Sequence, residues 1–164
     1  MRAFFAVVLL LALAGISVPA LRAEMPYSGP KPAKADHPYL VLANKLVETE
    51  ESEAKQVEDK KRTTFTVSGV SSSARCPLVE PAFLLRSDSL RPESLTLYPM
   101  RVEKGNRSVS FNDKPKKDDP QPIPLLFHAR KDGTTMIEAN QYLDPGEYCL
   151  SPEGANTVFC FQVY

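Results

Sequence analysis

Cysteine, histidine and clustered aspartate are the residues here with the chemistry to act as nucleophile, base or metal ligand. The chain has three cysteines and two histidines. Cys76 stands alone between Arg75 and Pro77. A neighbouring guanidinium favours the thiolate, the nucleophilic form, so Cys76 is a candidate for thiol-dependent redox or enzymatic chemistry. An odd cysteine in an exported chain also suits a disulfide-linked dimer, and a small apolar thiol suits a protein core. A Ser/His/Asp or Cys/His site would have to use His37 or His128. His128 lies between Phe127 and Ala129 in a strand-like stretch. That places it on a wet face or in a satisfied core pocket. The histidines are far apart and no spaced Cys/His cluster accompanies them, so zinc is not implied. Asp113, Asp118 and Asp119 offer hard oxygen donors for calcium, but Lys114, Lys116 and Lys117 interleave with them without calcium-loop spacing. Asn106-Arg107-Ser108 is a glycosylation triplet on an expected hairpin turn, meaningful only in a eukaryotic secretory pathway. These residues predict no catalytic constellation, no metal and no cofactor.

Positioning begins with the compartment. Met1-Arg2 is followed by an apolar run from Ala3 through Ile16, then Ser17-Val18-Pro19-Ala20-Leu21-Arg22-Ala23. One positive charge, a short apolar stretch and small residues before a cut form the pattern of a secretory signal peptide spanning residues 1–23, with cleavage after Ala20 or Ala23. The apolar run is shorter than the roughly 20 residues a membrane-spanning helix needs, so no stable membrane insertion is expected after cleavage. Secretion or a periplasmic location follows. The twenty basic and twenty acidic residues balance, and loss of Arg2 and Arg22 tips the mature chain slightly acidic. Such a chain lacks the electrostatic footprint of a nucleic-acid binder.

Fifteen prolines against seven glycines favour short strands joined by rigid turns. Residues 24–37 are rich in Pro, Lys and Ala, without apolar periodicity, and read as a flexible leader. Residues 38–62 are charged, acidic early and basic late, and suit either a short helix or a solvated strand extension. From Thr63 the period changes to two: Phe65 and Val67 alternate with Thr64, Thr66 and Ser68. Strands are predicted over 82–86, 94–103, 107–111, 123–130, 134–139, 146–151 and 157–163, with Asp132-Gly133 a strong hairpin signal. About seven or eight strands at this spacing in residues 63–164 point to an all-β sandwich or barrel.

The C-terminus carries the sharpest pattern. With Glu153–Asn156 as a four-residue loop, Leu150 faces Phe159, Tyr148 faces Phe161 and Cys149 faces Cys160. One face is then Tyr148, Leu150, Phe159, Phe161 and Val163; the other is Glu147, Cys149, Val158, Cys160 and Gln162. A register slip of one would scramble this sorting. Cross-strand Cα atoms about 4.5 Å apart are within disulfide reach, which favours a Cys149–Cys160 bridge over pairing of either with Cys76.

Asp144-Pro-Gly-Glu-Tyr148 resembles the turn before the last hairpin of immunoglobulin-like sandwiches, where a tyrosine hydroxyl folds back onto the backbone as a tyrosine corner. The resemblance makes Tyr148 that residue and implies a single immunoglobulin-like antiparallel β-sandwich. It departs from antibody domains, since Leu150 stands where a cysteine would and the chain has no Trp. The Pro-Gly-Glu-Tyr and Phe-Cys-Phe segments also resemble the C-termini of secreted bacterial proteins with no assigned activity. The expected function is an exported non-catalytic binding or structural module of the cell envelope or extracellular space. Its partner would be a protein or envelope component, met through loops or an edge strand. The alternative is the thiol-dependent factor using Cys76.

Overall fold

The computed structural model describes residues 27–114, 116, 117 and 119–164. The predicted signal peptide lies outside them. Strand β1 spans Tyr39–Leu42, β2 Lys45–Glu48, β3 Glu50–Glu53 and β4 Lys55–Asp59. Next come β5 (Arg62–Ser68), the two-residue β6 (Arg75–Cys76), β7 (Ala82–Arg86), β8 (Leu95–Glu103) and β9 (Asn106–Asn112). The chain finishes with β10 (Leu125–Ala129), β11 (Thr134–Ala139), β12 (Gly146–Pro152) and β13 (Thr157–Val163). Among the described residues the helical structure is a three-residue turn, Pro92–Ser94.

The protein is an all-β sandwich. One sheet has the order β10-β11-β7-β1-β2; the other runs β3-β13-β12-β8-β9-β5-β4, with β6 added alongside β13. The β6 pairing is parallel and the rest are antiparallel. Between the sheets lies the main core. Leu40, Phe83, Leu85 and Ile137 enter it from the five-stranded sheet and Leu97, Leu150, Phe159 and Phe161 from the eight-stranded one. Phe83 and Phe161 meet edge to face across it, centroids 5.1 Å apart. Each such fully buried side chain contributes about 1.5–3 kcal/mol.

The strand total exceeds the expected seven or eight because residues 38–62 belong to the sandwich itself. They adopt the strand alternative, not the helix, and they divide between the sheets: β1 and β2 join one, β3 and β4 the other. Tyr39, Leu40 and Val41 are buried, while β4 is exposed throughout. Lys55, Glu58 and Asp59 make β4 a charged outer edge, the usual guard against sheet-to-sheet association.

Residues 27–37 are docked, which corrects the expectation of a flexible leader. Tyr27 packs with Val41, Ala82, Leu84 and Met136 on the outer face of the five-stranded sheet. Its backbone carbonyl accepts from Arg130 Nη2 at 2.7 Å and its hydroxyl donates to the Pro30 carbonyl at 2.7 Å. The Asp36 carboxylate accepts from the N–H groups of Asp88, Ser89 and Leu90 and from the Ser89 hydroxyl. His37 is buried beside Tyr39 and Phe159. Its Nδ1 faces Glu51 Oε2 at 3.2 Å and its Nε2 faces the Thr49 carbonyl at 3.0 Å. Single anchoring side chains, not periodicity, hold this segment.

The eight-stranded sheet also curls. Its nine-residue strand β8 pairs with β12 through Leu95–Met100 and then with β9 through Arg101–Glu103. Pro99, which has no N–H to donate, sits just before this change of partner. Strands on either side of β8 therefore turn toward each other. On the face away from the main core, Val67, Met100 and Val109 pack with Cys149, Val158 and Cys160 as a second core.

Candidate functional site

The predicted site residues separate rather than converge. Cys149 and Cys160 are directly opposed, Cα atoms 4.0 Å apart, and bridged. The hairpin register is the one the sequence predicts, with Leu150 opposite Phe159 and Tyr148 opposite Phe161. Tyr148 makes the corner: its hydroxyl donates to the Asp144 carbonyl at 2.8 Å, and burial raises its pKa.

Cys76 is fully buried in the main core. Its Sγ lies 3.6 Å from the Leu78 carbonyl, and burial pushes the thiol pKa up. Arg75 turns away from it, stacking on the Tyr164 ring at 4.3 Å and donating from Nε to Gln162 Oε1. This is the placement of the inert-thiol alternative. A reactive or intermolecular thiol needs an exposed sulfur, and here neither reagent nor second chain reaches it without opening the sandwich.

Asn106 opens β9 after a tight turn in which Lys104 and Gly105 both have positive φ, 50° and 80°. That is the geometry of a two-residue hairpin loop. Asn106 is half-buried, with Nδ2 3.3 Å from the Lys104 carbonyl. His128 Nε2 approaches Glu138 Oε2 at 4.0 Å on a partly wet face. Asp119 binds the Asn112 side-chain amide and the Lys116 N–H, which hold its carboxyl below the usual range. Asp118 lies outside the described residues. Among the described residues no group of three or more His, Cys, Asp or Glu could hold a metal ion.

The inward face of the curled sheet holds two features that pattern reading did not identify. At one end is Arg107, 1% exposed. Its Nη2 donates to Glu50 Oε1 at 2.5 Å and to the Ser68 carbonyl at 2.9 Å, and its Nε donates to the Gly69 carbonyl at 3.2 Å. Its Nη1 stands 3.7 Å from Glu147 Oε2. Glu147 Oε2 also accepts from the Ser72 N–H, and Glu50 Oε2 from the Ser73 N–H. Burial alone would raise the Glu50 carboxyl; the bonds from Arg107 and Ser73 outweigh it and lower the pKa. The cluster ties β3, β9, β12 and the serine turn into one closed end.

The other end is open. Alternate residues of each strand point inward, so β9 supplies Val109 and Phe111, β5 supplies Phe65 and Val67, and β8 supplies Tyr98 and Met100. With the Cys149–Cys160 hairpin they bound a groove of about 420 Å³. Phe111 meets Phe65 at 6.1 Å and Tyr98 at 5.3 Å, each edge to face. Burial raises the Tyr98 pKa, and its hydroxyl makes no hydrogen bond among the described residues. Gln56, Thr96, Ser151, Glu153 and Asn156 form a polar rim. An apolar wall under such a rim is the usual construction of a small-molecule site, and the volume lies within the range of about 300–1,000 Å³ for such sites.

Comparison with known proteins finds no matching family model, no matching curated protein and no matching solved structure.

Proposed function

We propose that the chain is an exported, non-catalytic binding module of the cell envelope or extracellular space, and that its ligand sits in the groove of the curled sheet. One observation carries this reading. The solvent-open, aromatic-walled groove has a polar rim, whereas no nucleophile, base and orienting group come together among the described residues. Export is supported by the N-terminal charge, apolar run and small residues, and by a disulfide, which persists in oxidising compartments. No described helix is long and apolar enough to cross a membrane. On this reading the contact surface is the groove rather than a loop or an edge strand.

The neutral fluorescent probe N-phenyl-1-naphthylamine tests the reading. It is expected to bind the folded protein saturably at one site, and to lose that binding in Ser151→Trp, whose half-exposed position at the mouth tolerates a ring. Circular dichroism establishes that the variant is folded. Absence of saturable binding, or equal binding by Ser151→Trp, would overturn the reading.

A further inference from the structure

We infer that the groove selects a small organic cation, a compact alkylammonium group with an apolar surface; this rests on the groove being the binding site. Charge is the first argument. Among the described residues Glu153 is the only charged side chain lining the groove, and no Lys, Arg or His lines it. Glu153 has no ion pair among those residues. Arg91 shares a neighbouring depression with Glu153 and Asp36 without pairing to it. Beside the rim, Glu58 Oε1 accepts from the Gln56 side chain, which places a second carboxylate near the mouth. An anion would enter against this field and find no cationic partner inside.

The wall is the second argument. Phe65 and Tyr98 lie at 70° and 75° to Phe111. All three rings line the groove, so a group bound there meets aromatic surface from three strands. A π-face attracts a cation within about 6 Å of its centroid, and aromatic enclosures of this kind suit quaternary ammonium. Cys149, Met100 and Val109 add apolar surface for the alkyl groups without competing charge.

Size is the third. The groove's volume is about 420 Å³. A compact head group fits.

Choline and its uncharged isostere 3,3-dimethylbutan-1-ol test the inference by calorimetric titration of the folded protein. Choline is expected to bind at least about fivefold tighter, the scale of a partly desolvated cation–π contact. Tyr98→Leu, which keeps an apolar side chain but removes the π-face, should weaken choline by a similar factor and leave the alcohol unchanged. Tyr98→Phe should preserve choline binding. Glu153→Gln should weaken choline about twofold and reduce its salt dependence, as expected of an exposed charge. If the alcohol binds as tightly as choline, or phenylnaphthylamine binds in the groove and choline does not, cation selection is overturned while the groove stands. If phenylnaphthylamine does not bind, the groove reading falls and the inference with it.

Discussion

Arg107 sits where strand alternation and electrostatics pull in different directions. A guanidinium 1% exposed loses nearly all its hydration, which only paired and hydrogen-bonded partners offset. Glu50, Glu147 and the Ser68 and Gly69 carbonyls are those partners. Arg107→Ala leaves Glu147, itself 4% exposed, without its cation. The expected loss is about 3–5 kcal/mol, read as a lower urea midpoint. A change below about 1 kcal/mol, the level of an exposed pair, would contradict this account. Asp36 gives a second residue-scale prediction. Partial burial opposes ionisation, but hydrogen bonds from Ser89, Leu90 and Asp88 outweigh it and hold the carboxyl well below the usual range. A carboxyl with a lower pKa folded than unfolded adds stability fully present above the unfolded value near 3.9 and lost as pH falls through the folded value. Asp36→Asn should therefore flatten the acid limb of stability below about pH 4, with its largest cost at neutral pH. An unchanged acid limb, measured by thermal melts from pH 2 to 7, would count against the clamp.

At the scale of elements, the C-terminal hairpin was legible because alternation, loop length and cysteine spacing are all local. One arrangement satisfied all three, and the register agrees with it at Cys149–Cys160 and Leu150–Phe159. Strand β11 is equally transparent, following the Asp132-Gly133 turn over the predicted residues. The first four strands were not, because Glu, Lys and Gln dominate β3 and β4. Their place in a sheet comes from neighbours distant in sequence, β13 for β3 and β5 for β4. Arg107 was hidden for a related reason: a charged residue in an alternating strand reads as solvent-facing unless its buried partners are known. Reducing the disulfide tests how far the hairpin relies on it. By loop entropy the bridge contributes about 2–3 kcal/mol, so dithiothreitol should lower the melting temperature while the aromatic face of β12 and β13 keeps the fold. Complete unfolding at 25 °C on reduction would show that packing contributes less than the two cores imply.

For the whole molecule, the second face of the eight-stranded sheet is the decisive feature. The sequence sorted Glu147, Cys149, Val158, Cys160 and Gln162 onto one side of the last hairpin, a mixed set that suggests a surface. Glu147, Cys149, Val158 and Cys160 are instead buried, because β8 passes from β12 to β9 and Val67, Met100 and Val109 pack over that face. One sheet thus closes against its sandwich partner and also half-closes on itself, sealed by Arg107 at one end and open at the aromatic end. That curl depends on long-range pairing, so no local pattern announces it, and a groove of aromatics from three strands cannot be read from their spacing. The main core accounts for the sandwich, whereas the groove is surplus to it, which is why we assign function there. The most direct measurement is a two-dimensional ¹H–¹⁵N spectrum of the folded protein titrated with N-phenyl-1-naphthylamine. Perturbed amides should cluster at Phe65, Tyr98, Val109, Phe111 and Val158, with those of Phe83 and Ile137 in the main core unmoved. Perturbations confined to the loops or to the β10 edge, or none at all, would contradict the account.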